Sequence, residues 1–98
     1  MIRHVVSWKL TADEPAEKAD HATGIIERLQ SLVGVVSEIR TLSAAADVAG
    51  GSNWDVVLIA DFDDLAAVER YQVHPAHVTA AAFIRSVAAN RMAVDIEV

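Results

Sequence analysis

The first ten residues, MIRHVVSWKL, alternate: Ile2, Val6, Trp8 and Leu10 fall on one side and Arg3, Ser7 and Lys9 on the other, with His4 on the apolar side. Side chains of an extended chain point to opposite faces in turn, so this period of two specifies a half-buried strand. The last residues, RMAVDIEV, repeat the pattern with Met92, Val94, Ile96 and Val98 set against Ala93, Asp95 and Glu97. The chain therefore begins and ends on strands.

Between them the period changes. TADEP supplies a helix start, in which Thr11 or Asp13 can cap free amides, Glu14 and Glu17 favour the positive end of the helix dipole, and Pro15 is tolerated only in a first turn. Ala22, Ile25, Ile26, Leu29, Leu32 and Val33 then recur at spacings of three and four, which predicts a helix running to about Val33 and stopping at Gly34. VVSEIRTL alternates with mixed faces and reads as a second strand, followed by the small-residue loop SAAADVAGGSN. WDVVLIADF is nearly continuous apolar sequence and reads as a central strand covered on both faces. Asp61 and Asp63 offer caps for a short helix through Asp64, Leu65, Val68 and Tyr71. That helix ends before Pro75, since the residue preceding a proline is pushed away from helical geometry. Pro75 can open another helix, with His74 beside its cap, continuing through Phe83, Ile84 and Val87.

The order is β-α-β-β-α-β with the second helical part broken at Pro75, the split pattern of a ferredoxin-like α+β domain: a four-stranded antiparallel sheet with helices on one face. At 98 residues the chain makes one domain over residues 1–98. A chain this short buries roughly 60 to 65% of its unfolded surface, which favours self-association, and a second copy on the open sheet face would close a dimeric barrel. The net charge of −6 and the scatter of the eight Lys and Arg argue against nucleic acid as a partner. The absence of cysteine excludes a disulfide framework and thiolate metal sites. Arg3 and Lys9 interrupt the apolar residues of the N-terminus, so it reads as neither signal peptide nor membrane span, and a cytoplasmic protein is expected.

The segment Tyr71-Gln72-Val73-His74-Pro75-Ala76-His77 is the most distinctive in the chain. With MIRHVVSWKL, NWDVVLIADFDDLAAVERYQVHPAHV and FIRSVAANRMAVDIEV, and with its spacing from Asp61-Phe62 and Val94-Asp95, it resembles the Dabb family, the stress-responsive dimeric α/β-barrel domains, over essentially the whole chain. The resemblance implies a ferredoxin-like protomer, a homodimer formed through the sheets, and a pocket between sheet and helices beside the HPAH segment. It implies no single activity, although one plant branch cyclises a linear polyketide by an aldol-type condensation.

Such a reaction removes a proton next to a carbonyl and stabilises an enolate, which needs a neutral base and a donor aimed at the oxygen. By similarity to that branch His77 would be the base, Tyr71 the donor and His4 a polar partner from the first strand. Each has a plainer role beside it: a cap or surface histidine for His77, a core aromatic for Tyr71, a satisfied core histidine for His4. His74 is expected to serve the helix start, and His21 to face solvent on the first helix. The branch also carries a tyrosine on its first helix and a histidine in its third strand, whereas this chain has Tyr71 alone and Asp55 at the strand position. The expected function is therefore binding of a small, largely apolar molecule without cofactor, with His/Tyr acid-base cyclisation as the alternative. Metal ligation by His74 and His77, joined by His4 or Asp55, and a haem-type oxygenase on the same architecture are two further readings. Asp63-Asp64 reads as helix-start charge, and no glycine-rich phosphate loop is present.

Overall fold

A computed structural model describes residues 1–98. The alternating N-terminus forms β1 (Ile2–Leu10), and every even-numbered residue in it is buried. It lies in the middle of the sheet, antiparallel to β3 (Val56–Phe62) on one side and to β4 (Ala88–Glu97) on the other, with β2 (Thr41–Ala46) on the far edge of β3. The strand order β2-β3-β1-β4, with α1 (Pro15–Gln30), α2 (Leu65–Val73) and α3 (Pro75–Val87) as the helical elements, is the expected ferredoxin-like arrangement.

One core forms between the sheet and the helices. Val6, Trp8 and Leu10 of β1 and Val56, Leu58, Ala60 and Phe62 of β3 meet Ala22, Ile25 and Leu29 of α1, Val68 and Tyr71 of α2, and Ile84 and Val87 of α3. The parity that buries Leu58 and Ala60 turns Val57, Ile59 and Asp61 outward, and Ile59 is 40% exposed. The expectation that β3 is covered on both faces is thus corrected: all three helices lie on one side of the sheet, and its apolar outer side chains stay uncovered in the protomer.

The second strand also differs from its expected place. Val35–Arg40 is not extended but coils through short turns, in which the Val36 amide bonds the Leu32 carbonyl at 2.9 Å and the Ile39 amide bonds that of Val36 at 3.2 Å. Leu32 and Val36 are both buried while Val33 and Val35 are exposed, so the burial period here is four and not two. Gly34 takes φ +85°, a conformation that side chains disfavour, and marks the reversal. The strand forms instead from Thr41–Ala46, which keeps the last two residues of the expected strand and takes in the first four of the stretch expected to be a loop, with Leu42 opposite Ala60 and Ala44 opposite Leu58. Short side chains suffice at a sheet edge, where backbone pairing with β3 supplies the hydrogen bonds.

Two capping expectations are corrected as well. Glu14, not Thr11 or Asp13, caps α1 by accepting the amides of Ala16 and Glu17. Thr11 instead ties the end of β1 to the end of α3, its hydroxyl donating to the Val87 carbonyl at 3.0 Å. Asp64 caps α2 through the Ala67 amide at 2.8 Å, while Asp61 and Asp63 accept bidentate bonds from Arg3 and Arg40. The first helix stops at Gln30, short of Val33. No helix is long and apolar enough to cross a membrane.

Candidate functional site

Tyr71 occupies the last turns of α2 and His77 the first turn of α3. In an unbroken helix, residues six apart would face directions about 120° apart and could not share a wall. His74, the residue before Pro75, is extended at φ −62°, ψ 135°, and this single break lets α3 start in a new direction. The rings of Tyr71 and His77 consequently pack against each other in a tilted pair, with centroids 4.4 Å apart and planes inclined at 53°. His74 serves the helix start as expected: its Nδ1 accepts the Ala76 amide at 3.1 Å.

From the opposite wall comes His4, in the middle of β1 and 2% exposed. Its ring lies edge-on to Tyr71 and Phe62, at centroid distances of 6.1 and 6.2 Å. Asp95 is its partner across the β1–β4 ladder, and the Asp95 Oδ1 sits 2.6 Å from His4 Nδ1. A carboxylate only accepts, so Nδ1 carries the hydrogen and the ring is held in one orientation.

His4, Tyr71 and His77 line a single cavity of about 270 Å³, together with the apolar side chains of Trp8, Leu29 and Leu58. Tyr71 has no solvent exposure, and its hydroxyl is buried without a hydrogen-bond partner in the protein. Desolvation pushes its pKa up to about 12, an effect that Arg91 partly opposes, so the hydroxyl stays a donor across the neutral range. His77 is pushed the other way: desolvation lowers its pKa most, a hydrogen bond to the Gln72 carbonyl partly offsets this, and the positive charges of Arg91 and Arg85 add to the lowering. At neutral pH it is an uncharged imidazole. Its Nδ1 lies 3.0 Å from the Gln72 carbonyl oxygen, which can only accept, so Nδ1 bears the hydrogen and Nε2 keeps a lone pair.

Three features of this site escape the reading of the sequence. Asp95 holds His4, and Arg85 and Arg91 stand in the cavity wall. The alternation of β4 does carry a cue, since Arg91 and Asp95 share parity and pair with Trp8 and His4 on the helix-covered side. Other candidates are drawn elsewhere. His74 is committed to its cap, Asp55 accepts the Leu10 amide at 2.7 Å and lies 3.6 Å from Lys18, and no group of three His, Asp or Glu side chains is placed to hold a metal ion. His21 is not turned to solvent as expected: it is half-buried, with Nδ1 buried and unpartnered and Nε2 3.9 Å from Glu17.

Among solved structures, a dimeric protein of unknown function with a ferredoxin-like fold from Bacteroides fragilis is 31% identical, covered over 99% of this chain and 95% of its own, with a TM-score of 0.91. A dimeric ferredoxin-like protein of unknown function from Thermobifida fusca is 26% identical over 99% of this chain and 90% of its own, with a TM-score of 0.83. The hydroxynitrile lyase of Passiflora edulis shares the fold at 13% identity, over 99% of this chain and 92% of its own, with a TM-score of 0.79. No curated protein matches the sequence. The model of the stress-responsive A/B barrel domain, Dabb, matches residues 2–98. With a broken helix that closes the pocket wall, a sheet bare on its outer face and that match over nearly its full length, the chain belongs to the Dabb family of stress-responsive α/β-barrel domains.

Proposed function

We propose that this protein, as one half of a homodimer, binds a small, largely apolar molecule bearing a carbonyl or hydroxyl oxygen in the cavity between β1 and the α2–α3 break. The observation that carries this reading is Tyr71, which lines a mostly apolar cavity and whose hydroxyl is a fully buried donor with no partner in the protein. An unsatisfied buried hydroxyl costs about 1–3 kcal/mol, so a fold that keeps one beside a cavity gains by presenting an acceptor to it. The cavity sits near the lower end of ligand-pocket sizes, about 300 Å³, which restricts the occupant to small molecules.

The test uses Trp8, which lines the cavity, as a fluorescent reporter during titration with small ketones such as acetophenone. Saturable quenching is expected, with Tyr71→Phe weakening it about five- to tenfold while a control hydrocarbon of equal size, ethylbenzene, binds both forms alike. Equal affinity of acetophenone for both forms would remove the hydroxyl from recognition.

A second reading, proton transfer next to the carbonyl of the bound molecule, is favoured by the close contact of Tyr71 with an uncharged His77. In this step His77 Nε2 takes the proton from carbon, and the Tyr71 hydroxyl donates a hydrogen bond to the enolate oxygen that develops. Returning the proton to a different position, or attack of the enolate on a second carbonyl, would complete an isomerisation or an aldol-type cyclisation. Both readings use the same residues.

A further inference from the structure

Arg85 and Arg91 stand apart from the other arginines of this acidic chain. Arg3, Arg40 and Arg70 each bind a carboxylate, and Arg28 lies over the Phe83 ring while donating to the Gly24 carbonyl. The side chains of Arg85 and Arg91 make no hydrogen bond or ion pair within the protein, yet both line the cavity that holds Tyr71 and His77. They come from different elements, Arg85 from the last turn of α3 and Arg91 from the cavity-side parity of β4, where it pairs with Trp8. The carboxylates of the chain do not answer them: Asp95, the acid nearest in register on that side of β4, is taken up by His4.

Two uncompensated guanidinium groups at a mostly apolar pocket are a receptor for an anion. Arginine is the side chain whose fork matches a carboxylate in two parallel hydrogen bonds. We infer that the molecule bound here carries a carboxylate, which Arg91 and Arg85 hold at the cavity rim while its apolar body lies against Trp8, Leu29 and Leu58 and its inner oxygen meets the Tyr71 hydroxyl. This deepens the reading of the cavity as a small-molecule site and rests on it. The class it names is a small oxo or hydroxy acid with a compact apolar body, in place of a neutral apolar molecule. The size of the cavity excludes a long chain wholly enclosed within it.

Matched probes separate the charge from the shape: 4-acetylbenzoate against 4-acetylbenzamide, titrated by calorimetry at low salt. The carboxylate is expected to bind about tenfold more tightly than the amide, with the advantage shrinking as salt rises. In Arg91→Gln the advantage should fall to about threefold or less, and in the Arg85→Gln, Arg91→Gln double variant it should vanish, while the affinity for the amide and the melting temperature stay near those of the parent. Both arginines are exposed, so these variants fold. Equal binding of acid and amide to the parent protein, or an advantage that survives the double variant, overturns the anion site while leaving the small-molecule reading in place. If neither probe nor acetophenone binds, both fall together.

Discussion

His77 has one ring nitrogen committed to the Gln72 carbonyl and the other left with a lone pair, and its surroundings keep the ring uncharged. Those two facts set how it would behave as a base. Incubated in heavy water with bound acetophenone, the protein should exchange the protons next to the carbonyl for deuterium faster than buffer alone, and His77→Phe should abolish the excess. The rate should climb with pH through a midpoint below the ordinary histidine value of 6.5 and then stay level through neutrality, because His77 is titrated in the lower range and Tyr71 holds its proton to about 12. Exchange no faster than buffer would leave the cavity a binding site. The same shift has a stability consequence whose sign is fixed: just below 6.5 the unfolded chain binds more protons at His77 than the folded one, so acidification through that window destabilises the fold. Burial is the leading cause of the shift, and it cannot be read from a sequence without knowing which ring the helix break sets against Tyr71.

The break at Pro75 belongs to the elements it joins. His74 and His77, three residues apart, have separate tasks: the first closes the open end of α3 through the Ala76 amide, the second enters the cavity wall. Replacing a capping side chain by alanine costs about 1 kcal/mol, which in a chain of this size lowers the melting temperature by about 4–8 °C. His74→Ala should show that loss in a thermal melt and keep acetophenone binding, while His74→Asn, which supplies another acceptor, should restore most of it. A loss of binding in His74→Ala without loss of stability would place His74 in the site instead. The Pro75 break was legible because proline constrains two residues by sterics alone, and β1, β4 and α1 because their apolar periods are long. The second strand was not. Val35, Val36 and Ile39 carry the β-branched residues that suggest extension, but Leu32 and Val36 bury together through a turn, and the pairing falls to Thr41–Ala46, whose alanines carry almost no period. Long-range pairing with β3 decided that element, and no local pattern encodes it. Among the site residues, His4, Tyr71 and His77 were legible as a cavity set through family resemblance, whereas Asp95, Arg85 and Arg91 depend on which face of β4 and which turn of α3 meet the pocket.

The whole molecule is lopsided: helices cover one face of the sheet and nothing covers the other. The register places Ile59, Val5 and Val94 in one row across β3, β1 and β4, beside a second row of Val57, Ser7 and Met92. Ile59, Met92, Val94 and Ile96 are 40 to 48% exposed, a contiguous apolar surface of the kind that monomers seldom leave in water. The bidentate Arg3–Asp61 pair, at 2.9 and 3.1 Å on the same face, borders the apolar rows with a charge-neutral edge. The Bacteroides fragilis and Thermobifida fusca structures are both dimeric. Here the face itself suggests how two copies would meet, sheet on sheet about 10 Å apart, with these rows interdigitated. Light scattering should therefore give twice the 10.5 kDa chain mass at micromolar concentration. The double variant Ile59→Glu, Val94→Glu, which places a carboxylate on each side of Val5, should run as a folded monomer, because burying unpaired charges costs several kcal/mol per ion. In that monomer the cavity, on the opposite side of the sheet, should still take acetophenone. A parent protein that runs at 10.5 kDa, or a double variant that stays dimeric, would mean that another surface joins the copies or that none does.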